Sequence, residues 1–575
     1  MKKLKIALLG AMSASLWSCG SVIPASVMPV EMATHANHKD TVVKMAMSDK
    51  AFFEKRTALI IKHSHFDKTF ATLQAKVEKD NPESAEYWRW RIDQYLYGQY
   101  PEYQPFYDAF TQGKSFQQIY NLPDEDLSGK KKKPAKMADL PAGYFTDNLP
   151  GNPHHGSKYV ADNKINIVYQ GKLTDPYIAS YDMTTNQWTG PYKAEESTLS
   201  KGKRQIDSHG RPDFEQDNDG YYHIVYGGHG GEREVGLNPN SFDTPHAGGR
   251  MLHAVSVRPN DISEFKLVDD ITPFASYTIS HKMDNGDIYL IIRGGTHKSP
   301  WLMYKMKSGS QTFEPPVVLT WPTPQKDAPI HVDTHYIKAE KVSGTELAFS
   351  YLWHTCNFNE VHDKTNYGRH NVYYMKLDTT TGKFTNAQGE QLTLPITIET
   401  SHEKTLAYDS VKAKETSFGT NPLKLADGAP AVAYEAMGPG YREWRMTKFA
   451  NGKWTHSLPM PGTADRTLRD SDGNVIQKVL KLEALGTGAQ ATTGVATYKT
   501  SKGKTVFATV TRANSSSNDW TVEQEQLSLA GARMTMESAK DEAGNIAGVV
   551  VNVRKGGSQR LYLWHDGKIR ANPSL

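Results

Sequence analysis

At 575 residues the chain is too long for one ordinary domain and long enough to bury a large core. Its formal net charge of +4 and pI near 8.5 are too weak a basic bias to argue for nucleic acid, and are compatible with an acidic substrate. With two cysteines, Cys19 and Cys356, a disulfide framework is excluded.

The first 19 residues, "MKKLKIALLGAMSASLWSC", read as a targeting segment: a basic head, then an apolar stretch too short to span a membrane in the mature protein. The ending Leu16-Trp17-Ser18-Cys19 resembles the lipobox of bacterial lipoproteins. That resemblance implies an exported lipoprotein of the cell envelope, cleaved before Cys19 and lipidated on that cysteine; an ordinary signal peptide with an incidental cysteine is the alternative. No later apolar run approaches the ~20 residues of a membrane span, so the mature body is expected to be soluble and to meet the membrane only through the lipid.

Residues 20–47 read as a flexible tether. Residues 48–127 are expected to form a helical N-terminal region, because "AFFEKRTALIIKHSHFDKTFATLQAKVEK" repeats apolar residues at three- and four-residue intervals without Gly or Pro. A packing module without chemistry is the simplest reading of it. "SGKKKKPAK" lies in a basic linker over 128–140, a solvated connection rather than a lipid-binding patch.

From 141 to 575 the pattern changes to short β-rich runs separated by Gly, Asp, Asn and Pro. One unit recurs: a turn, an apolar strand, a second strand rich in Tyr or Leu, and an aromatic or basic turn. "DNKINIVYQG…PYIASYDMTTNQW", "DNDGYYHIVYGG…RMLHAVSV" and "DNGDIYLIIRGG…PWLMYKMKSGSQTF" begin a series that ends with "GNIAGVVVNVRKGGSQRLYLWHDGKI". Seven such units, each a small antiparallel sheet unable to bury both faces alone, predict an all-β, seven-bladed β-propeller. A pair of β-sandwiches would supply as many strands but not the recurring strand pair.

Polar candidates concentrate in the first three units: His154 and His155 in "NPHHGS", His209 and Arg211 in "IDSHGRPDF", His229 in "YGGHGG" and His246 and Arg250 in "DTPHAGGRM". Tyr277 in "PFASYT" follows, then Arg293, His297 and Lys298 in "YLIIRGGTHKSP". Singly, each histidine is more often a hydrogen-bonded surface residue than a catalyst. Their setting carries the argument: His209 and His229 stand beside glycines that let a ligand approach the backbone, and Arg293 repeats the setting of His229 one blade later. The pattern lacks the paired carboxyl groups of a glycosidase and suits β-elimination from a uronate. There an arginine neutralises the carboxylate, and histidine and tyrosine move the protons.

The stretches "DNLPGNPHHGSKYVADNKINIVYQGKLTDPYIASYD", "DSHGRP", "YGGHGGERE", "NSFDTPHAGGRML", "DDITPFASYT" and "RGGTHKSPW" resemble the seven-bladed ulvan lyases, polysaccharide lyase families twenty-four and twenty-five, most closely the latter. The likeness runs from about Tyr144 to the C-terminus. It implies cleavage of ulvan between 3-sulfated rhamnose and a glucuronic or iduronic acid, leaving a 4,5-unsaturated uronate, without a catalytic cofactor. The family's catalytic pattern falls on His209, His229, Tyr277 and Arg293. On that carry-over His209 takes the C5 proton, Tyr277 protonates the leaving O4, and Arg293 with His229 neutralises the carboxylate. Tyr277 acting as both base and acid on one uronate epimer stays open. Arg211, His246 and Arg250 are candidates for sulfate or carboxylate contacts, or for structural ion pairs.

In "YLWHTCNFNEVHDKTNY", His354 and Cys356 project from one face of a strand and His362 can return from the next turn, a donor set suited to structural zinc. His335, His370 and His402 are possible fourth ligands, and a buried free thiol is the alternative. A lyase for another uronate polymer, a non-catalytic glycan-binding propeller and a protein-assembly scaffold complete the set of functional readings.

Overall fold

A computed structural model of the chain describes residues 137–149, 155–197, 208–228, 250–272, 275–295, 299–325, 328–356, 368–458, 466–486, 491–541 and 544–574. The segments read as targeting peptide, tether and helical region lie outside them, as does most of the basic linker.

The seven recurring strand pairs are the middle strands of seven sheets of four to six strands each. Each pair is apolar because it is buried on both sides. In blade one, Ile165, Ile167 and Tyr169 pack with Val550, Leu561 and Leu563 of blade seven. The intervening Val168 packs with Phe214, Ile224 and Tyr226 of blade two. Alternate side chains of one strand thus enter two different cores, which is the period-2 geometry of a pleated strand flanked on both faces.

The inner strands of blades one to five touch in succession, from His155–Ala161 to Asp213–Gln216, Ser276–Lys282, Ala328–Ser343 and Thr416–Pro422. The ring closes where His155–Ala161 meets Arg533–Lys540 of blade seven. A second closure comes from ahead of blade one, where Thr146 bridges Leu561 and Tyr562 Oη donates to the Pro141 carbonyl at 2.6 Å. The start of the propeller is thereby stitched to its last blade.

Two blades carry features of their own. Blade two buries a polar column in which Asp217 bonds His223 Nε2 (3.2 Å), His223 Nδ1 meets His253 Nε2 (3.1 Å) and His253 Nδ1 meets Asp270 (2.9 Å). Blade four is the largest sheet, with strands Ala328–Ser343, Glu346–Cys356 and Gly368–Asp378 extended beyond the usual blade length. The first of these long strands, Ala328–Ser343, lies against Ser276–Lys282 of blade three.

Candidate active site

Tyr277 enters the site from an irregular backbone. Arg293, the last residue of strand Ile288–Arg293, pairs with Ser276, while Ile292 pairs with Thr278, so Tyr277 is the extra residue of a β-bulge. Its φ of 58° is left-handed, which a bulky L-residue adopts only when its surroundings enforce it. The enforcing neighbours are rings: Trp301 lies parallel to Tyr277 at 6.1 Å, and Tyr336 meets it edge-on at 6.2 Å. The bulge turns the phenol out of the sheet and across the rim.

Arg293 lies beneath it, only 1% exposed. Its Nε donates to Ser276 Oγ at 3.0 Å and to the Gly295 carbonyl at 3.2 Å, and its Cζ sits 4.6 Å from the Tyr277 ring centre. Among the described residues, its Nη1 has no hydrogen-bond partner although it is buried. A buried guanidinium with an open donor costs free energy unless something anionic completes it, and its planar fork matches a carboxylate.

His209 reaches the same place from blade two. It sits on the single 3-10 turn Ser208–Gly210, and its ring is 5.1 Å from Tyr277 at an angle of 60°. The turn rests on the glycines that end "YGG": a side chain at Gly210 would overlap the Gly227 carbonyl, and one at Gly228 would overlap that of Ala275. Gly227 and Gly228 have positive φ, 88° and 74°, and Gly228 N donates to the Arg250 carbonyl at 2.9 Å. The bare loop lets three backbone segments from blades two and three close upon each other, and His209 is delivered to Tyr277 by that closure.

Three of the four expected catalytic residues, His209, Tyr277 and Arg293, therefore converge. His229 and the candidate contact residue His246 lie outside the described residues. Arg211 is near the axis, its carbonyl accepting from Thr278 Oγ1 at 3.1 Å. Close by, burial pulls the Lys338 ammonium down to about 8; the Arg211 charge adds to that effect and Asp213 opposes it. Glu215, also near the axis, is pushed up to about 8 by burial and then by Asp213. Arg250 is exposed where blade two's third strand begins, its carbonyl accepting from Gly228 N in the glycine seam beneath His209.

For the metal expectation, His354 is fully buried and its Nδ1–H donates to the Gly368 carbonyl at 2.7 Å, which fixes the tautomer with the lone pair on Nε2. Cys356 ends the same strand; its side chain and the whole of His362 lie outside the described residues. Among the described residues no group of three or more His, Cys, Asp or Glu comes together. The proposed fourth ligands are corrected by the register. His335 pairs with Trp353 and Trp353 with His370, one residue out of phase with His354, and His402 packs on Trp353 at 5.1 Å. All three histidines occupy the sheet face opposite His354; His335 is held by Ser401 Oγ at 2.9 Å.

The sequence pattern did not single out Ser276, Trp301 or Tyr336. Trp301 also donates Nε1–H to the His335 carbonyl at 2.7 Å, joining blades three and four under the site. The signal available for Tyr336 was strand alternation alone, which does not separate a site residue from a core one.

Comparison with known proteins places these residues in context. A family model described as a BNR repeat-containing family member matches residues 175–459. The chain is 39% identical over 313 residues to an ulvan lyase-PL25 of Pseudoalteromonas sp. (strain PLSV), a match covering 52% of this chain and 62% of that protein. It is 38% identical over 304 residues to an ulvan lyase of Alteromonas sp. (strain LOR), covering 51% of this chain and 61% of the relative. The match thus spans about three fifths of each curated relative. A solved PL25 ulvan lyase structure bound to -[GlcA(1-4)Rha3S]- aligns at 30% identity with a TM-score of 0.60, covering 75% of this chain and 97% of that one.

Proposed function

The chain belongs to polysaccharide lyase family twenty-five, the ulvan lyases, and we propose from that premise that it cleaves ulvan by β-elimination at a uronate joined to 3-sulfated rhamnose. The observation that carries the reading is the incomplete hydrogen bonding of Arg293 beneath the Tyr277 and His209 rings. A uronate carboxylate that completes the hydrogen bonding of the buried Nη1 is neutralised there, which stabilises the carbanion character that develops at C5.

His209 takes the C5 proton, the C–H electrons form the C4–C5 double bond, the C4–O4 bond breaks, and Tyr277 returns a proton to O4. His209 and Tyr277 approach the same point from different blades, so base and acid can act on different atoms of one sugar ring. Substrate orientation then decides whether Tyr277 also serves as base for the epimer that presents its C5 hydrogen to the other side. Product analysis tests the reaction class. Ulvan digests are expected to yield oligosaccharides with an unsaturated uronate at the new non-reducing end; products carrying an added water would contradict elimination.

Two accessory features belong to the same proposal. Zinc held by His354 through Nε2, by Cys356 and by His362 would tie the segment 357–367 to the blade-four strand as a structural clamp. Metal analysis of purified protein and of Cys356→Ser tests it, with loss of zinc expected in the variant. Lipidation of Cys19 would tether an exported enzyme to the cell envelope, supported by the Leu16–Cys19 pattern. Cys19→Ala is expected to move the protein from the membrane fraction to the soluble one.

A further inference from the structure

Beyond Tyr336 the rim of the propeller continues into a cationic and aromatic surface that the elimination chemistry does not use. Arg369, on the blade-four strand Gly368–Asp378, is clasped between two rings, its Cζ 4.0 Å from the Tyr336 centre and 4.2 Å from that of Phe418. Its Nη1 donates to the Phe418 carbonyl at 3.2 Å. The planar group is thus fixed in orientation, with further N–H donors on its edge for an anion.

Phe418 lies on the first strand of blade five, Thr416–Pro422, at an irregularity between Ser417 and Thr420, and is 47% exposed. Trp444, 44% exposed, lies over the neighbouring Gly419, where a side chain would come within 2.9 Å of its indole. Arg442 stands 5.3 Å from the Phe418 ring, held by Glu435. Phe418 lies near the start of its blade's first strand, and Arg369, Arg442 and Trp444 lie near the starts of third strands, which is the end of the blades where the first strand of Tyr277 begins and the second strand of Arg293 finishes. Arg293 itself lies 5.4 Å from the Tyr336 ring, so an unbroken line of contacts joins the catalytic arginine to Phe418.

Two large aromatic rings fixed in the open, with an oriented arginine between them and the active site, suit one kind of occupant. Pyranose rings pack their C–H faces on aromatic rings, and an acidic sugar adds a carboxylate or sulfate that a guanidinium receives. We propose that Phe418, Trp444 and Arg369 form a remote subsite for an acidic sugar residue of the same polysaccharide chain whose uronate is bound at Arg293. This rests on the lyase reading for the identity of the chain, and on continuity with Arg293 for its path. Arg442 borders the subsite but is neutralised by Glu435, so Arg369 supplies the charge.

Two readouts test it separately from catalysis. In affinity electrophoresis through gels containing ulvan, wild type is expected to be retarded and Phe418→Ala/Trp444→Ala to run nearly free, with equal mobilities in gels without polysaccharide. Kinetically, the double variant is expected to raise KM on the polymer about tenfold, while kcat on the shortest cleavable oligosaccharide is unchanged. Arg369→Gln, which keeps the aromatic surface, should weaken retardation and reduce its sensitivity to salt. Equal retardation of wild type and double variant would overturn the subsite, as would an equal loss on polymer and short oligosaccharide. Concentration-dependent self-association abolished by the double variant, with sugar binding intact, would instead assign the patch to a contact between copies. If wild type released no unsaturated product from any uronate polymer, the lyase reading would fall, and the retardation assay would still decide the subsite.

Discussion

Tyr277 holds its hydroxyl on a ring fixed by Trp301, Tyr336 and His209, so removing the oxygen changes the chemistry and little else. Tyr277→Phe is expected to lower kcat about 10²–10⁴-fold with an unchanged melting temperature, as read by initial rates and thermal unfolding. His335 makes a different residue-scale prediction. Burial holds its imidazole down to about 3, the nearby His402 adding to the effect, against roughly 6.5 in the unfolded chain. The unfolded state therefore takes up a proton below about pH 6.5 that the folded state refuses until about pH 3, so this contribution is complete above 6.5 and is lost as pH falls through that window. Denaturant titrations from pH 7 to 4 should show His335→Gln with a shallower acid slope than wild type, by up to about 1.4 kcal/mol per pH unit. Parallel slopes would refute the assignment.

At the scale of elements, the site depends on a bulge and a glycine seam. Gly228 combines a φ of 74° with a Cβ direction that runs into the Ala275 carbonyl, two residues before Tyr277. Gly228→Ala is expected to cost about 2 kcal/mol or more and to lower activity beyond the loss of folded protein, because the blade-two and blade-three backbones must part at the base of the site. Specific activity corrected for the folded fraction checks this. The paired middle strands were legible in the sequence because both their faces are buried, so runs such as "KINIVY" and "IYLIIR" are mostly apolar on both faces. The Tyr277 bulge was not legible: "FASYTIS" alternates like an ordinary strand, and the extra residue is defined by the pairing of Ser276 with Arg293 seventeen positions later in sequence. Arg293 and His209 were singled out by their glycine settings and by resemblance to the lyases, and the structure brings both beside Tyr277. Tyr336 and Arg369 were not singled out because their contacts with Tyr277, Arg293 and Phe418 arise where blades meet, which no local pattern records.

For the whole molecule, seven sheets in a ring place the beginnings of their inner strands on one face, and closure keeps them there. The Pro141 and Thr146 contacts to Tyr562 and Leu561 hold the ring shut. Tyr562→Phe removes one bond of that closure and is expected to lower stability by about 1 kcal/mol while leaving kcat unchanged, as read by denaturant unfolding beside initial rates. Seven blades could be counted from sequence because each repeats one supersecondary unit. The enlargement of blade four could not, because its extra strands come from irregular segments. The central claim is that this rim performs elimination through Arg293, and it is tested most directly by the ultraviolet absorbance of ulvan incubated with purified protein beside Arg293→Ala. The account predicts a steady rise from the conjugated uronate with wild type and a rate lower by about 10²-fold or more with the variant. A flat trace with folded wild type, or equal rates for the two proteins, would contradict it.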